Sequence, residues 1–189
     1  MRYLKQAMLT FVVFAILCGL VYPLCITVIS QLLFPHKSNG SIITAGNSTV
    51  GSVLIGQRFD SPKYFYGRPS STDPAYNASG SAGSNLGPSN ANFLEQVKKR
   101  IEKVRNENGL PSDTPIPADL VLASASGLDP HISVEAAMLQ VRRISLERGM
   151  SVSELEGIVR RHIEHPLMGI WGQPRVNVLK LNLALDTWK

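Results

Sequence analysis

The 189-residue chain carries a formal charge of +5, of which Arg2 and Lys5 supply two and the remainder of the chain only three. That surplus is too small for a dedicated nucleic-acid binder. The roughly 150 residues beyond the N-terminal apolar stretch suffice for one domain with its own core. Both cysteines, Cys18 and Cys25, fall inside the apolar stretch, which excludes thiol catalysis and a Cys-ligated metal from the rest of the chain.

From Ala7 through Leu33 there is no Asp, Glu, Lys, Arg or His, and Leu, Val, Ile and Phe dominate. A helix of that length reaches about 40 Å, more than the ~30 Å hydrocarbon core of a bilayer. The stretch is also longer than the apolar core of a secretory signal, usually ~7–15 residues. The reading is an uncleaved transmembrane helix over residues 7–34. Arg2 and Lys5 precede it, while only His36 and Lys37 follow before Arg58. Cationic short flanks stay inside, so residues 1–6 are expected in the cytoplasm and the remainder outside. A single span encloses no pathway and here carries no Asp, Glu, Lys, Arg or His to bind or relay an ion. The Ala15-xxx-Gly19 spacing offers a small-residue groove for a partner helix, and Pro23 should disturb the helix just beyond it.

Residues 35–48 read as a polar tether. A domain at 49–189 follows, beginning with a β-branched run over 49–59 that reads as a strand, its glycines marking bulges or a close backbone approach. An aromatic cluster at 64–66 comes next, then a Ser/Gly/Asn loop over 70–90, long enough to be either functional or disordered; a mobile or partner-ordered loop is the expectation. The glycines at 80, 83 and 87 suggest an anion nest, although no Walker pattern is present.

Three helices are predicted. The first spans 92–108, with Leu94, Val97, Ile101 and Val104 as its stripe, and is ended by Gly109. The second runs from near Ser133 to Arg148, burying Val134, Ala137, Met138, Val141 and Ile144. The third opens on a Ser151–Glu154 capping box, buries Leu155, Ile158 and Val159, and stops at Pro166. A short helix and a tight turn are expected over 115–131. Period-two alternation over 174–186 predicts a final strand with Leu179, Leu181, Leu183 and Leu185 on one face. The fold class is therefore α+β: one N-terminal transmembrane helix followed by a small mixed α/β extracytoplasmic domain.

Chemistry is sparse. Asp129 and His131 flank Pro130, and a membrane-anchored extracytoplasmic hydrolase would pair Ser124 or Ser126 with His131. No Gly-x-Ser-x-Gly elbow supports it. His162 and His165 stand at a helix end without an evident third metal ligand.

The strings GSVLIGQRF (51–59), YFYGRPS (64–70), GSNLGPSN (83–90), ADLVLASASGLDPHIS (118–133) and GQPRVNVLKLNLALD (172–186) together resemble the C subunit of the Kdp potassium-transporting ATPases, over essentially the whole chain. Leu122 and Ala125 stand where the family is expected to have Thr and Gly, and Ala82 interrupts the glycines of the loop. The resemblance implies a non-catalytic, single-pass accessory subunit in a bacterial inner membrane. Its partners would be a potassium-channel-like subunit and a P-type ATPase subunit, with the lipid bilayer around them and no nucleic acid. It further implies a catalytic chaperone that raises the ATPase subunit's affinity for ATP, with potassium as the transported ion. No cofactor of this chain's own is implied, and any ATP link runs through the ATPase subunit. The residues expected at partner contacts are Ala15, Gly19, Tyr66, Arg68, Asn85, Leu86, Asp129 and His131. Direct nucleotide contact, if made, would fall on Gly83, Ser84, Asn85 and Gly87.

Overall fold

A computed structural model describes residues 2–46 and 48–188, and the chain divides into two compact units, residues 1–52 and 53–189. The first unit opens on one continuous helix, Arg2–Leu33, long and apolar enough to cross a membrane. It comprises α1 (Arg2–Ile16), a π turn (Leu17–Val21) and α2 (Tyr22–Leu33). None of its residues is buried, as expected of a helix whose apolar side chains point in every direction. The disturbance expected at Pro23 is the π turn just ahead of it, where the Tyr22 N–H reaches back to the Leu17 carbonyl. Widening the helix there accommodates a residue with no N–H of its own. Thr27 Oγ1 donates to the Pro23 carbonyl at 2.8 Å and caps that oxygen within the helix.

The stretch read as a tether carries secondary structure among its described residues. A four-residue helix, α3 (Pro35–Ser38), leads into β1 (Ile42–Ala45), which pairs antiparallel with β2 (Ser48–Ser52). The strand predicted over 49–59 is therefore shorter and ends at Ser52, because Gly56 is taken up by another backbone instead of a sheet neighbour. Its N–H donates to the Leu128 carbonyl at 2.7 Å.

In the second unit the helices form close to where their signals lie. Asn90 caps α4 (Ala91–Asn108) through the Phe93 N–H, and Gly109 ends it in the left-handed region. Ser133 caps α5 (Val134–Arg148), and Gly149 ends it at φ +64°. The Ser151–Glu154 capping box opens α6 (Val152–Arg161). This helix stops at Arg161, short of Pro166, because residues 163–164 leave it to join a sheet. That sheet is three-stranded and antiparallel, in the order β3 (His131–Ser133), β5 (Arg175–Asn177), β4 (Ile163–Glu164).

The C-terminal prediction needs correction. Only Arg175–Asn177 is strand, and Val178–Thr187 forms a helix, α7. Asn177 caps it by accepting from the Lys180 N–H at 3.1 Å, and the following Leu, Lys and Ala residues are strong helix formers. The alternating leucines conceal a helical face: Val178, Leu181 and Leu185 recur at three- and four-residue steps, and all are buried.

The core joins Phe65, Leu120, Ile132, Val141, Ile144, Leu155, Ile158, Val176, Leu181 and Leu185. Segment 62–66 crosses it without being a strand, and buried polar side chains replace the missing sheet partner. Asn182 accepts from the Phe65 N–H at 2.9 Å and donates to its carbonyl at 3.0 Å. Gln140 does the same for Tyr66, at 2.8 and 3.2 Å. Arg143 donates to the carbonyls of Pro62 and Tyr64, to Asn108 Oδ1 at 3.1 Å and to Gln140 Oε1 at 2.8 Å, with its guanidinium over the Tyr66 ring. Buried peptide groups must find partners, and these three side chains supply them.

Candidate functional site

Four of the sequence strings that stood out converge on one region. The turn over 122–130, which delivers the chain into β3, lies against the Gly56 segment and against residues 70–83 of the 70–90 loop. The fit is backbone to backbone: a Cβ on Gly83 would lie 2.8 Å from the Ala125 carbonyl oxygen, and one on Gly127 would lie 2.7 Å from that of Ala82. Gly127 also has φ +68°, so glycine is required there twice over. Ala82 N–H donates to the Ser126 carbonyl at 3.1 Å, and Ser70 Oγ donates to Gly127 O at 2.8 Å while accepting from the Tyr76 N–H at 2.9 Å. Residues 70–77 are thus a bonded turn, although 73–75 are exposed within it, and further exposure lies at 78–82 and 84–89, so the 70–90 segment is not uniformly loose.

A row of alternating charges crosses the adjoining surface. Arg68 Nη1 meets Asp129 Oδ2 at 3.2 Å, and its other terminal nitrogen reaches the carbonyls of Leu122 and Ala123. Asp129 Oδ1 accepts from the His131 N–H at 3.0 Å and lies 3.4 Å from that residue's Nδ1. His131 Nε2 lies 3.4 Å from Glu164 Oε2, and Glu164 in turn meets Lys180 Nζ at 2.7 Å and Arg175 Nε at 3.6 Å. A cleft of about 400 Å³ opens over the row, lined among others by Arg68, Asp119, Asp129, His131, Ser133 and Arg175. Asp119 closes its floor by accepting from both the N–H and the hydroxyl of Ser133.

Electrostatics follow from these contacts. Partial burial alone would raise the Asp129 carboxyl, but hydrogen bonds from the His131 ring and N–H, together with the Arg68 charge, hold it below the ordinary carboxylate range. Glu164 is lowered in the same way, with burial outweighed by the hydrogen bond and charge of Lys180 and by His131 and Arg175. Burial pushes the Tyr76 phenol up to about 12, helped by the nearby Asp129 charge, and its hydroxyl donates to the Arg68 carbonyl.

The expected site residues divide accordingly. Arg68, Asp129 and His131 come together. Tyr66 is a docking point for Gln140 and a platform for Arg143. Asn85, at φ +52°, and Leu86 lie on the exposed 84–89 loop. Of the four residues proposed for nucleotide contact, Gly83 is occupied by internal packing, while Ser84, Asn85 and Gly87 are exposed. Gly19 lies in the π turn, where an added Cβ would meet nothing within 4 Å, so its groove with Ala15 is open.

The hydrolase reading does not fit this geometry. Both His131 nitrogens face carboxylates, Ser126 Oγ accepts from the Leu128 N–H at 3.1 Å, and Ser124 Oγ is buried without a hydrogen-bond partner. At the end of α6, His162 Nδ1 stands 2.8 Å from the Ile158 carbonyl, within hydrogen-bond reach.

Glu164, Arg175 and Lys180 complete the row without having been singled out from the sequence. Their only signal was three ionisable residues flanking the sequence between α6 and the C-terminal leucines. The buried Gln140, Arg143 and Asn182 were legible only as polar residues interrupting apolar periodicity.

Comparison with known proteins gives a consistent picture. A family model described as the c chain of a K+-transporting ATPase, KdpC, matches residues 4–187. The potassium-transporting ATPase KdpC subunit of Geobacter sulfurreducens is 51% identical over 189 residues, covering 99% of this chain and 98% of its own. That of Methylococcus capsulatus is 49% identical over 187 residues, covering 98% and 97%. That of Dechloromonas aromatica is 50% identical over 185 residues, covering 97% and 96%.

Proposed function

The chain belongs to the KdpC family, the c chain of the K+-transporting ATPase, and from that premise we propose that it is a non-catalytic accessory subunit of an ATP-driven potassium uptake complex. The helix Arg2–Leu33 fixes it in the bacterial inner membrane with the N-terminus inside, and packs on partner helices through the open Ala15–Gly19 groove. The second unit lies on the outer side, over the side from which potassium enters. Its contacts with the channel-like subunit and the P-type ATPase subunit run through the exposed 84–89 loop, where Asn85 and Leu86 stand, and through the cleft that Arg68, Asp129 and His131 line.

The subunit raises the ATPase subunit's affinity for ATP without holding nucleotide itself. A domain on the outer face acts by favouring one conformation of the assembled complex, a coupling between distant sites. The observation that carries this reading is the charge row: each of its carboxylates is paired with cationic and imidazole partners, which suits a rigid docking face and leaves no base aimed at a nucleophile.

The test is the ATP dependence of the purified complex with this chain present, absent, or carrying Leu86→Asp. Removal is expected to raise the KM for ATP several-fold, and Leu86→Asp to raise it part of the way by weakening assembly. An unchanged KM on removal would contradict the chaperone role.

A further inference from the structure

Between β4 and β5 the chain rises into a tip, Pro166–Gln173, that carries no charged residue. Leu167, Met168, Ile170 and Trp171 are 67%, 81%, 78% and 68% exposed, while the rest of the second unit keeps most large apolar side chains covered. Isolated exposed leucines are ordinary; four large side chains on one short turn are not.

We propose that this tip is a lipid-inserting wedge, entering the interfacial zone of the bilayer that the N-terminal helix crosses. The inference rests on that helix being a membrane anchor. Three features favour lipid over a protein groove.

The tip satisfies much of its own backbone, four of the seven N–H groups of residues 167–173 being bonded within it. Leu167 and Trp171 exchange N–H to carbonyl bonds in both directions, at 2.9 and 3.1 Å, and the Gly169 and Ile170 N–H groups donate to the carbonyls of Pro166 and Leu167. A segment entering an apolar medium must carry its hydrogen bonds with it. Glycines at φ +73° and +105°, Gly169 and Gly172, make so tight a fold possible.

The base of the tip is cationic. Glu164 and Arg175 face each other on β4 and β5, and Lys180 shares the same carboxylate, so two cations stand against one anion there. Basic residues behind apolar and Trp side chains complement anionic headgroups.

The third feature is reach. Only residues 34–52 separate the apolar helix from the second unit, at most about 65 Å of extended chain, and helix and hairpin folding within them shortens that. The second unit as a whole is therefore kept within that reach of the bilayer that the helix crosses.

The experiment uses the full chain with Trp188→Phe, which leaves Trp171 as the sole tryptophan. The chain is placed in bilayer nanodiscs of phosphatidylglycerol and phosphatidylcholine with brominated acyl chains. Loss of Trp171 emission to the brominated lipid, with protection from aqueous iodide, is the expected result. Ile170→Gln or Met168→Gln, both at exposed positions, should relieve that quenching. Quenching by iodide and not by brominated lipid overturns the proposal. Shielding from both quenchers in the assembled complex also overturns it, in favour of a protein partner. Extraction of the chain by alkali contradicts the anchor itself and the wedge with it, whereas an integrated chain with an aqueous Trp171 contradicts the wedge alone.

Discussion

Two turns adjoin the same small sheet and could hardly be built more differently. The 122–130 turn ahead of β3 is pressed against neighbouring backbone at Gly56, Gly83 and Gly127, and its charges are matched by Arg68, His131 and a Ser/Thr hydrogen-bond net. The 166–173 turn between β4 and β5 touches little and presents Leu167, Met168, Ile170 and Trp171 outward. A polar turn whose charge and most of whose polar groups are answered within the molecule, the buried Ser124 hydroxyl excepted, is stable as it stands. An apolar turn left in water gains only when something covers it, at about 25 cal/mol per Å² of apolar surface removed. One therefore fixes the shape of the unit, and the other reports on its surroundings.

The sharpest way to break the comparison is at Gly127. Alanine there must adopt φ +68° and brings a Cβ to 2.7 Å from a backbone oxygen, so Gly127→Ala should cost roughly 2–4 kcal/mol and separate the 70–90 loop from the turn. Denaturant titration of the detergent-solubilised chain, followed by its intrinsic fluorescence, reads this directly. Next in size is Asn182→Ala, which orphans the buried N–H and carbonyl of Phe65, for about 2–3 kcal/mol in the same titration.

Smaller, and dependent on pH, is Asp129→Asn. The folded carboxyl is held below its ordinary value, so its contribution is present above the unfolded carboxylate range near pH 4 and is lost as pH falls through the folded value. The variant should be less stable at neutral pH by roughly 1 kcal/mol and should lose less on acidification than the parent. An identical acid limb in both chains would show that the Arg68–Asp129–His131 contacts are not made in solution. Least of all in stability is Ile170→Gln, expected within about 0.5 kcal/mol of the parent because the residue is 78% exposed.

What the sequence disclosed follows the same divide. Local chemistry was readable: the apolar run of the first helix, the Ser133 and Ser151 caps, the Gly109 and Gly149 stops, and the glycine at 56 marking a close backbone approach. These signals act over a few residues and need no partner. The C-terminal leucines misled because steps of two contain steps of four, and only the Asn177 cap and the Leu181–Leu185 burial decide for helix. Arg68, Asp129 and His131 stood out by their place in conspicuous strings. Glu164, Arg175 and Lys180 did not, since their pairing depends on a sheet register that brings β4 beside β5. The apolar tip carries no such local signal, because Leu167-Met-Gly-Ile-Trp171 in sequence does not say whether its side chains are buried or exposed.

The account depends most on where the second unit lies. Protease added to intact spheroplasts, compared with lysed cells, tests this through digestion of the chain beyond residue 36. Digestion in intact spheroplasts is the predicted result, and any influence on ATP affinity then passes through the membrane subunits. Protection until lysis would contradict it, placing the unit with the nucleotide and reviving direct contact by Ser84, Asn85 and Gly87.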